Sequence, residues 1–410
     1  MKDITVKRFS AASVLVFAAV IAGAANAYPG KPDPNVKSSV KSIECAQSRG
    51  FDAKMLMGLM SIPSVSSDQD ANNRAVDYLK KWFDRRGVYT AVCSNEAGRA
   101  ALYASTRPGK RHDIVFVTHV DVVPPSEDGQ FNPYVKDGFL YGRGACDTKG
   151  NAVVIAQVLA NLVGKVSVGA VFATDEEART PGLNTPTVLL NNGYVPQKFI
   201  IVGDTNGEFQ NSLTIAEKGH AHVRLIAHGR GGHSSMPWAA DNPIPKLVDA
   251  YRKIEAAFPK SENPDDHWCD YLSPTKLSGA LAGNVIPDTA EMYFSYRFIR
   301  MDGPQWIKDF LERTTGLEVI VREPYRMPVI TDRDNPYVKS LYEAMSRKWD
   351  GVCLTKMSCA TDATRYAHLN LPTVIFGAIG FGTHAKQERV SLQSLVEYTD
   401  LFTEYLKDVR

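Results

Sequence analysis

The stretch Ile114-Val-Phe-Val-Thr-His-Val-Asp121 places a histidine and an aspartate directly after an apolar, β-branched run. A short run of this composition is typical of a buried strand. The same arrangement recurs in Val171-Phe-Ala-Thr-Asp-Glu-Glu177 and in Phe199-Ile-Ile-Val-Gly-Asp204, where an apolar segment again ends in acidic residues. Such strands alternate with helical segments, so the sequence predicts an α/β fold with a mainly parallel sheet covered on both faces.

A second pattern interrupts this one in the middle of the chain. Residues 218–324 follow the order strand, helix, strand, strand, helix, strand, which is a ferredoxin-like α+β order. The first pattern returns after Pro324 with a helix, an apolar strand and a last helix. We therefore expect a catalytic domain built from residues 28–217 and 325–410, with an inserted domain at 218–324.

The first 27 residues have the features of a secretory signal peptide. A basic start is followed by the apolar stretch Ala11 to Gly23 and by the small-residue site Ala25-Asn-Ala27. The sequence thus predicts an exported protein, either periplasmic or secreted. The alternative is an uncleaved membrane anchor, although the apolar stretch is short for a membrane span.

Charge and cysteine content exclude several classes of function. The precursor has 47 basic and 45 acidic residues, and the signal contains three of the former and one of the latter, so the mature chain is formally neutral. The sequence has no block of basic residues, so it does not predict binding to nucleic acid or, after signal cleavage, to a membrane. Six cysteines are too few for a disulfide-held scaffold of this size. The sequence lacks a CxxC pattern, so it does not indicate a zinc site made of cysteines.

Each polar segment at the end of an apolar run has an ordinary explanation when it is considered alone. Asp121 lies two residues from His119 in a predicted strand, on the same side, and can fix its tautomer; such a pair also occurs as a structural hydrogen bond. In Gly142-Arg-Gly-Ala-Cys-Asp147 the aspartate is well placed to cap the following helix. The adjacent carboxylates of Asp175-Glu176-Glu177 repel one another unless they share a cation or a proton. Acidic loops of this kind are nevertheless common.

Taken together, the five segments say more about function than any one of them does alone. The fifth, Gly382-Thr-His384, follows the apolar run Thr373-Val-Ile-Phe376. Open α/β sheets build their sites at the carboxyl ends of strands, and carboxylates and imidazoles gathered there are the ligands that hold zinc. The sequence therefore predicts a metal site at this edge of the sheet.

In their order and placement the five segments resemble the co-catalytic zinc exopeptidase and amidohydrolase family. This family includes enzymes of the carboxypeptidase G, succinyl-diaminopimelate desuccinylase, aminoacylase and bacterial dipeptidase type. Two segments of the predicted insertion are also characteristic of it, Gly231-Gly-His-Ser-Ser-Met-Pro237 and Gly283-Asn-Val-Ile-Pro287. The resemblance covers nearly all of the chain after the signal and implies a metalloexopeptidase whose inserted domain is a dimerisation and lid domain.

The resemblance also implies two Zn²⁺ ions per subunit, for which Co²⁺ or Mn²⁺ are possible substitutes. Five ligands are implied: His119 and Asp204 on one ion, Glu177 and His384 on the other, and Asp147 bridging both. Asp121 is expected to orient His119. Glu176 is expected to act as the general base on a metal-activated water. Oxygen and imidazole donors without thiolate agree with the composition of the segments.

Four further residues are implied to contact the substrate. His233 is expected to stabilise the tetrahedral oxyanion, in dimers at the neighbour's active site, although a turn residue is the ordinary alternative. Asn284, Arg297 and Arg365 are expected to bind the substrate's carboxylate, and the ordinary alternative for the first two is a surface position. A single inserted unit also resembles the dimeric members, so we expect a homodimer.

The sequence departs from the family pattern beside Glu176. Ala178-Arg-Thr-Pro181 replaces the usual glycines, and Arg179 is therefore a further candidate for substrate contact. Aspartate at position 204 resembles the dipeptidase and aminopeptidase branch, which favours hydrolysis of small peptides. The alternatives are an N-acyl-amino-acid amidohydrolase and an inactive metal- or peptide-binding protein. The presence of Glu176 argues against the last, because a binding protein does not need the base.

Overall fold

The computed structural model describes residues 43–47, 49–177, 184–205, 211–261, 267–279 and 282–409. The predicted signal peptide, Arg179 and the rest of the replacement segment lie outside the described residues. The first part of the chain alternates strands with helices. Its helices are α1 (Ala53–Met60), α2 (Gln69–Asp84), α3 (Gly150–Leu162) and α4 (Thr185–Asn191). Its strands are β1 (Tyr89–Ser94), β2 (Ala100–Ser105), β3 (Arg111–His119), β4 (Tyr134–Lys136), β5 (Phe139–Tyr141), β6 (Val168–Ala173), β7 (Val195–Gly203) and β8 (Ser212–Glu217).

The middle and the end of the chain follow the two predicted patterns. The middle part contains β9 (Gly219–His228), β10 (Gly232–His233), α5 (Pro243–Ala257), β11 (Tyr271–Ser278), β12 (Val285–Ile286), β13 (Thr289–Phe298), α6 (Gly303–Thr315) and β14 (Glu318–Arg326). The last part contains β15 (Val329–Ile330), α7 (Pro336–Lys348), β16 (Cys353–Met357), β17 (Thr373–Phe376), β18 (Gly380–Phe381), β19 (Arg389–Ser391) and α8 (Leu392–Asp408).

The large sheet has the strand order β1-β2-β6-β3-β7-β17-β8-β15, and β16 lies beside β8. Strand β3 is parallel to both β6 and β7, and β7 is parallel to β17. The antiparallel pairs lie towards the two edges of the sheet. Because the four central strands run in one direction, their carboxyl ends meet at one edge, which is where open α/β sheets bind ligands.

Strand β3 shows why both faces of the large sheet are buried. Ile114 and Phe116 point into the larger apolar cluster, which includes residues of α1, α2, α3 and α8. Val115 and Val117 point into a second cluster on the opposite face. Since alternate residues of a strand face opposite sides, a strand that is apolar throughout needs cover on both.

The inserted segment forms a four-stranded antiparallel sheet of order β11-β13-β9-β14. Its residues alternate strictly along β13, where every second side chain is buried against α5 and α6. This order is that of a ferredoxin-like unit, so the predicted fold class is confirmed. Strand β11 continues past Pro274, where its pairing with β13 shifts register before Lys276. Among the described residues no helix is long and apolar enough for a membrane span.

Candidate metal centre

Four of the predicted polar segments follow parallel strands of the large sheet and meet at its carboxyl edge. His119 is the last residue of β3, the acidic triplet begins two residues after β6, and Asp204 directly follows β7. The backbone of Asp204 donates to Phe376 O at the end of β17 at 3.0 Å, which ties two strand ends together. The sheet topology therefore brings together residues as far apart in the sequence as His119 and His384.

The first group of potential ligands is buried beneath this edge and consists of His119, Asp147 and Asp204. His119 Nε2 lies 3.2 Å from Asp147 Oδ1 and 3.9 Å from Asp204 Oδ2. Donor atoms on one tetrahedral zinc are roughly 3.3 Å apart, given metal–ligand bonds of about 2.0–2.2 Å. The three side chains thus have the spacing that a single ion needs.

The second group shares Asp147 and adds Glu177 and His384. His384 Nε2 lies 3.0 Å from Asp147 Oδ2 and 2.7 Å from Glu177 Oε1. Each oxygen of Asp147 therefore faces a different group, as a bridging carboxylate does. His384 has a positive φ of 58°, which is uncommon for a residue with a side chain and is concentrated at functional sites.

Asp121 connects the histidine of the first group to the acidic loop. His119 Nδ1 lies 3.0 Å from Asp121 O and 3.4 Å from Asp121 Oδ1. The same carboxylate accepts hydrogen bonds from the backbone N–H groups of Glu176 and Glu177, at 3.2 and 3.0 Å. Ser66 Oγ donates to it at 2.6 Å. Asp121 thus fixes the imidazole and the loop of Glu176 relative to each other.

The loop that carries Asp147 is held by Glu388. Glu388 Oε1 accepts from the backbone N–H groups of Cys146 and Asp147 at 3.2 and 3.3 Å. Its other oxygen pairs with Arg143, and both side chains are buried. Arg143 also donates to Ser126 Oγ at 2.9 Å, and that hydroxyl in turn donates to the carbonyl of His384 at 3.0 Å. One buried ion pair therefore stabilises the loops that present both Asp147 and His384.

The electrostatics of the cluster favour a cation. Burial opposes charge on the His119 imidazole, yet hydrogen bonds to Asp121 and Asp147 outweigh it and hold its pKa well above the usual value. Hydrogen bonds to Asp147 and Glu177 raise the pKa of His384 to about 10. Burial, together with the charges of neighbouring acids, raises the pKa of Asp204. A negative potential that holds protons on these groups also attracts divalent metal ions.

Residues and chemistry of the cluster therefore fit two metal ions. The donors are imidazole nitrogens and carboxylate oxygens, which suit Zn²⁺ and related divalent ions. One carboxylate faces both groups, and each group holds three ligand atoms within 4.8 Å of one another. These are the residues that the resemblance implied as ligands.

Glu176 lies next to the second group without belonging to it. Burial raises the pKa of its carboxyl to about 7. Its Oε1 lies 3.1 Å from Arg326 Nη1, at the end of the inserted sheet. The carboxyl therefore binds and releases a proton near neutral pH, which suits a group that takes up and gives back a proton during a reaction.

The four residues expected to contact the substrate are less closely associated with this cluster. His233 is exposed in β10, and its Nδ1 lies 2.7 Å from Ser235 Oγ. Asn284 is exposed in the loop before β12, where its carbonyl accepts from Ser234 N at 3.0 Å. Arg297 is partly buried in β13. Arg365 pairs with Asp362 and donates to the carbonyl of Asp175 at 3.0 Å, so in this structure it supports the acidic loop.

Ser66 and Arg326 are two further residues of the site that no sequence pattern indicates. Ser66 lies in the Ile62-Pro-Ser-Val-Ser66 turn, 55 positions from the aspartate that it contacts. Arg326 lies 150 positions from Glu176, in a polar segment with several other arginines. Neither position carries a local signal, because both contacts depend on how distant segments pack.

Comparison with known proteins agrees with this geometry. The profile of "Peptidase family M20/M25/M40" matches residues 115–408. A succinyl-diaminopimelate desuccinylase of Helicobacter pylori (strain HPAG1) is 29% identical over 385 residues, 86% of this chain and 97% of its own. The corresponding protein of Wolbachia pipientis wMel is 24% identical over 376 residues, 85% of this chain and 91% of its own. The crystal structure of aminopeptidase PepT from Bacillus cereus superposes with a TM-score of 0.70 at 18% identity, covering 87% of this chain and 97% of that one.

Proposed function

The chain belongs to peptidase family M20/M25/M40, whose members are metal-dependent hydrolases of amide or peptide bonds, and from this we propose that it hydrolyses small peptides at a two-zinc centre. The observation that carries the proposal is the position of Glu176. It is a mostly buried acid, with 13% of its side chain exposed, beside two ligand groups that share Asp147. A protein that only bound metal or peptide would not need an acid there.

The proposed ligand set follows from the contacts. His119 and Asp204 would hold one ion, Glu177 and His384 the other, and Asp147 would bridge them. When bound, the two ions supply Lewis-acid activation of a water molecule and of the scissile carbonyl. Asp121 would keep the His119 imidazole in the tautomer that presents Nε2 as a ligand.

Glu176 would move the proton that the reaction requires. Its carboxylate would accept a proton from the attacking water and then donate it to the leaving nitrogen. A carboxyl whose pKa is raised towards 7 by burial is suited to both steps, since it binds and releases a proton near neutral pH. His233, supplied by a second subunit of a homodimer, would stabilise the oxyanion.

Two substrate classes compete within this function. Asp204 resembles the aspartate of the dipeptidase and aminopeptidase branch, and this favours peptides. N-acyl amino acids are the second candidate, because the relatives at 24–29% identity are named succinyl-diaminopimelate desuccinylases. Both classes share a scissile amide on an amino acid. We further propose that residues 1–27 direct export, so that these substrates are met in the periplasm or outside the cell.

A substrate panel tests the proposal. Dipeptides, tripeptides and N-acyl amino acids are incubated with protein loaded with Zn²⁺, Co²⁺ or Mn²⁺, and metal content is measured in the same samples. We expect turnover of dipeptides, and its loss in Glu176→Gln at unchanged metal content. Turnover of acyl amino acids alone would establish the second candidate. No turnover of any substrate by correctly metallated protein would refute the enzymatic function.

A further inference from the structure

The inserted segment presents a group of large, exposed apolar side chains beside His233. Trp238 is 80% exposed, and Met236 and Val285 are 48% and 47% exposed. Single exposed apolar residues are ordinary on a protein surface, but a group of large ones is typical of a binding site. We call these three residues the apolar tip. Its main component is the indole of Trp238, which has the largest apolar area to bury.

Backbone hydrogen bonds fix the apolar tip relative to His233. His233 of β10 pairs with Val285 of β12. The carbonyl of His233 accepts from Met236 N at 2.9 Å, and the carbonyl of Met236 accepts from Ala239 N at 3.0 Å. Each of these turns keeps its first and fourth Cα atoms within about 7 Å of each other. The indole of Trp238 can therefore contact a side chain of a molecule that is bound at His233.

The two ends of the loop that carries both residues are also joined. Arg230 and Asp241 exchange backbone hydrogen bonds of 2.8 Å in both directions. Gly231 N donates to Asp288 Oδ1 at 2.7 Å, which ties the same loop to the segment after β12. His233 and Trp238 thus belong to one closed loop, and a site that receives the first also receives the second.

The charges at the carboxyl edge of the large sheet distinguish the two sides of a scissile amide. Glu176 is proposed to return its proton to the leaving nitrogen, and its Oε1 lies 3.1 Å from Arg326 Nη1. The leaving amino acid therefore meets charged groups. His233 is proposed to contact the oxygen of the scissile carbonyl, which lies about 2.4 Å from the first carbon on the acyl side. An apolar surface fixed to His233 therefore suits the group on the acyl side.

We propose that Trp238 packs against the group on the acyl side of the scissile amide, in the site that His233 serves, and selects for a large apolar group there. The preferred substrates are then dipeptides with an aromatic or branched first residue, or amino acids with a comparable acyl group. An acidic acyl group such as succinyl would lose hydration against the indole without gaining a partner, so it is disfavoured. This inference rests on the proposed function and narrows its substrate class.

The test compares phenylalanyl-alanine, glycyl-alanine and N-succinyl-alanine as substrates. We expect the wild type to prefer phenylalanyl-alanine by at least about 10-fold in kcat/KM, the order expected when part of an aromatic side chain is buried. Trp238→Ala should remove most of this preference by lowering kcat/KM for phenylalanyl-alanine, and Trp238→Phe should keep it because a ring remains. The matched control is Met301→Ala in the turn before α6. Met301 is 58% exposed, and its variant should keep the wild-type ratio.

Fluorescence provides a second measurement that does not depend on turnover. Trp238 is the exposed member of the five tryptophans, and the other four are buried or partly buried. Zinc-loaded protein is titrated with an analogue of phenylalanyl-alanine whose amide is reduced and cannot be cleaved. Binding should shift the emission to shorter wavelength and protect it from quenching by acrylamide. Both changes should be absent from Trp238→Phe.

The possible outcomes separate this inference from the proposed function. An equal loss of activity towards both dipeptides in Trp238→Ala would restrict Trp238 to assembly or folding and would overturn the inference. A wild type without the preference, or one that favours the succinyl substrate, would also overturn it and leave the proposed function intact. An unchanged emission on binding of the analogue would contradict the contact itself. Absence of all turnover by correctly metallated protein would refute the proposed function.

Discussion

Ser66 shows how a single hydroxyl contributes to the metal centre. It donates to Asp121 at 2.6 Å in a buried environment, and Asp121 in turn contacts His119. Groups that orient metal-bound histidines typically contribute 10–100-fold to metal affinity. The side chain of Ser66 is therefore more important than its place in a turn indicates.

We predict that Ser66→Ala weakens metal binding by about 10-fold without unfolding the protein. The lost donor leaves Asp121 less constrained and the His119 ring less well oriented. Competition with a chromophoric chelator measures the affinity. Ser61→Ala is the control, since Ser61 is exposed directly after α1 and donates to the carbonyl of Met57 in the last turn of that helix. Equal affinities for the two variants would show that Ser66 does not position the ligand.

Glu176 leads to a prediction about pH. Only its carboxylate form accepts a proton from water, so kcat/KM should rise with pH through its pKa. Burial raises that pKa to about 7, and bound cations will lower it. We expect Glu176→Gln to reduce kcat/KM by about 1,000-fold and to remove this rise at acidic pH. A variant that kept the acidic limb of the pH–rate profile would assign the limb to another group.

At the scale of elements, Glu217 joins three strands of the large sheet. It is the last residue of β8, opposite Val329 of β15 and Met357 of β16. Its Oε2 accepts from the N–H and the hydroxyl of Thr361 at 3.0 and 2.9 Å. Burial raises its pKa from 4.5 to about 8. Between these two pKa values, the Glu217 carboxyl is therefore protonated in the folded state and ionised in the unfolded chain.

This shift predicts a pH-dependent stability. Because the folded pKa is the higher one, the contribution of Glu217 is fully present below pH 4.5 and is lost as the pH rises towards 8. Relative to the wild type, Glu217→Gln should become steadily more stable between pH 5 and pH 8. Urea unfolding at matched metal content measures the difference. The exposed Glu96→Gln should show no such trend, and a pH-independent difference for Glu217→Gln would contradict the assignment.

The strands that form the site were predictable from sequence for a physical reason. A parallel strand buried on both faces must be apolar throughout, so polar residues at its carboxyl end are conspicuous, as in Ile114 to Asp121. The alternation of β13 made the insertion equally visible. The contacts of Ser66 and Arg326 were not predictable, since they join segments 55 and 150 positions apart. The resemblance to a known family supplied the ligand pairing, which composition and spacing left open.

At the scale of the whole molecule, the proposed homodimer makes a prediction about mixed subunits. If His233 acts in the partner's site, Glu176→Gln and His233→Ala subunits complement each other, because a heterodimer contains one complete site. Mixing equal amounts with subunit exchange should restore about a quarter of wild-type activity, since half of the dimers are mixed and each has one active site. Analytical ultracentrifugation checks the oligomeric state. No recovery by exchanged dimers would place His233 in its own subunit's site or outside catalysis.

The central claim is that two metal ions, held by residues from both halves of the large sheet, make this chain a hydrolase. Titration of metal-free protein with Zn²⁺, with bound metal and dipeptide turnover measured on the same samples, tests it most directly. We expect no turnover without metal and a plateau at two bound ions per chain. Asp147→Ala lacks the carboxylate shared by both groups, so it should bind fewer ions and show no activity. Full turnover by metal-free protein, or two ions bound by Asp147→Ala with activity retained, would contradict it.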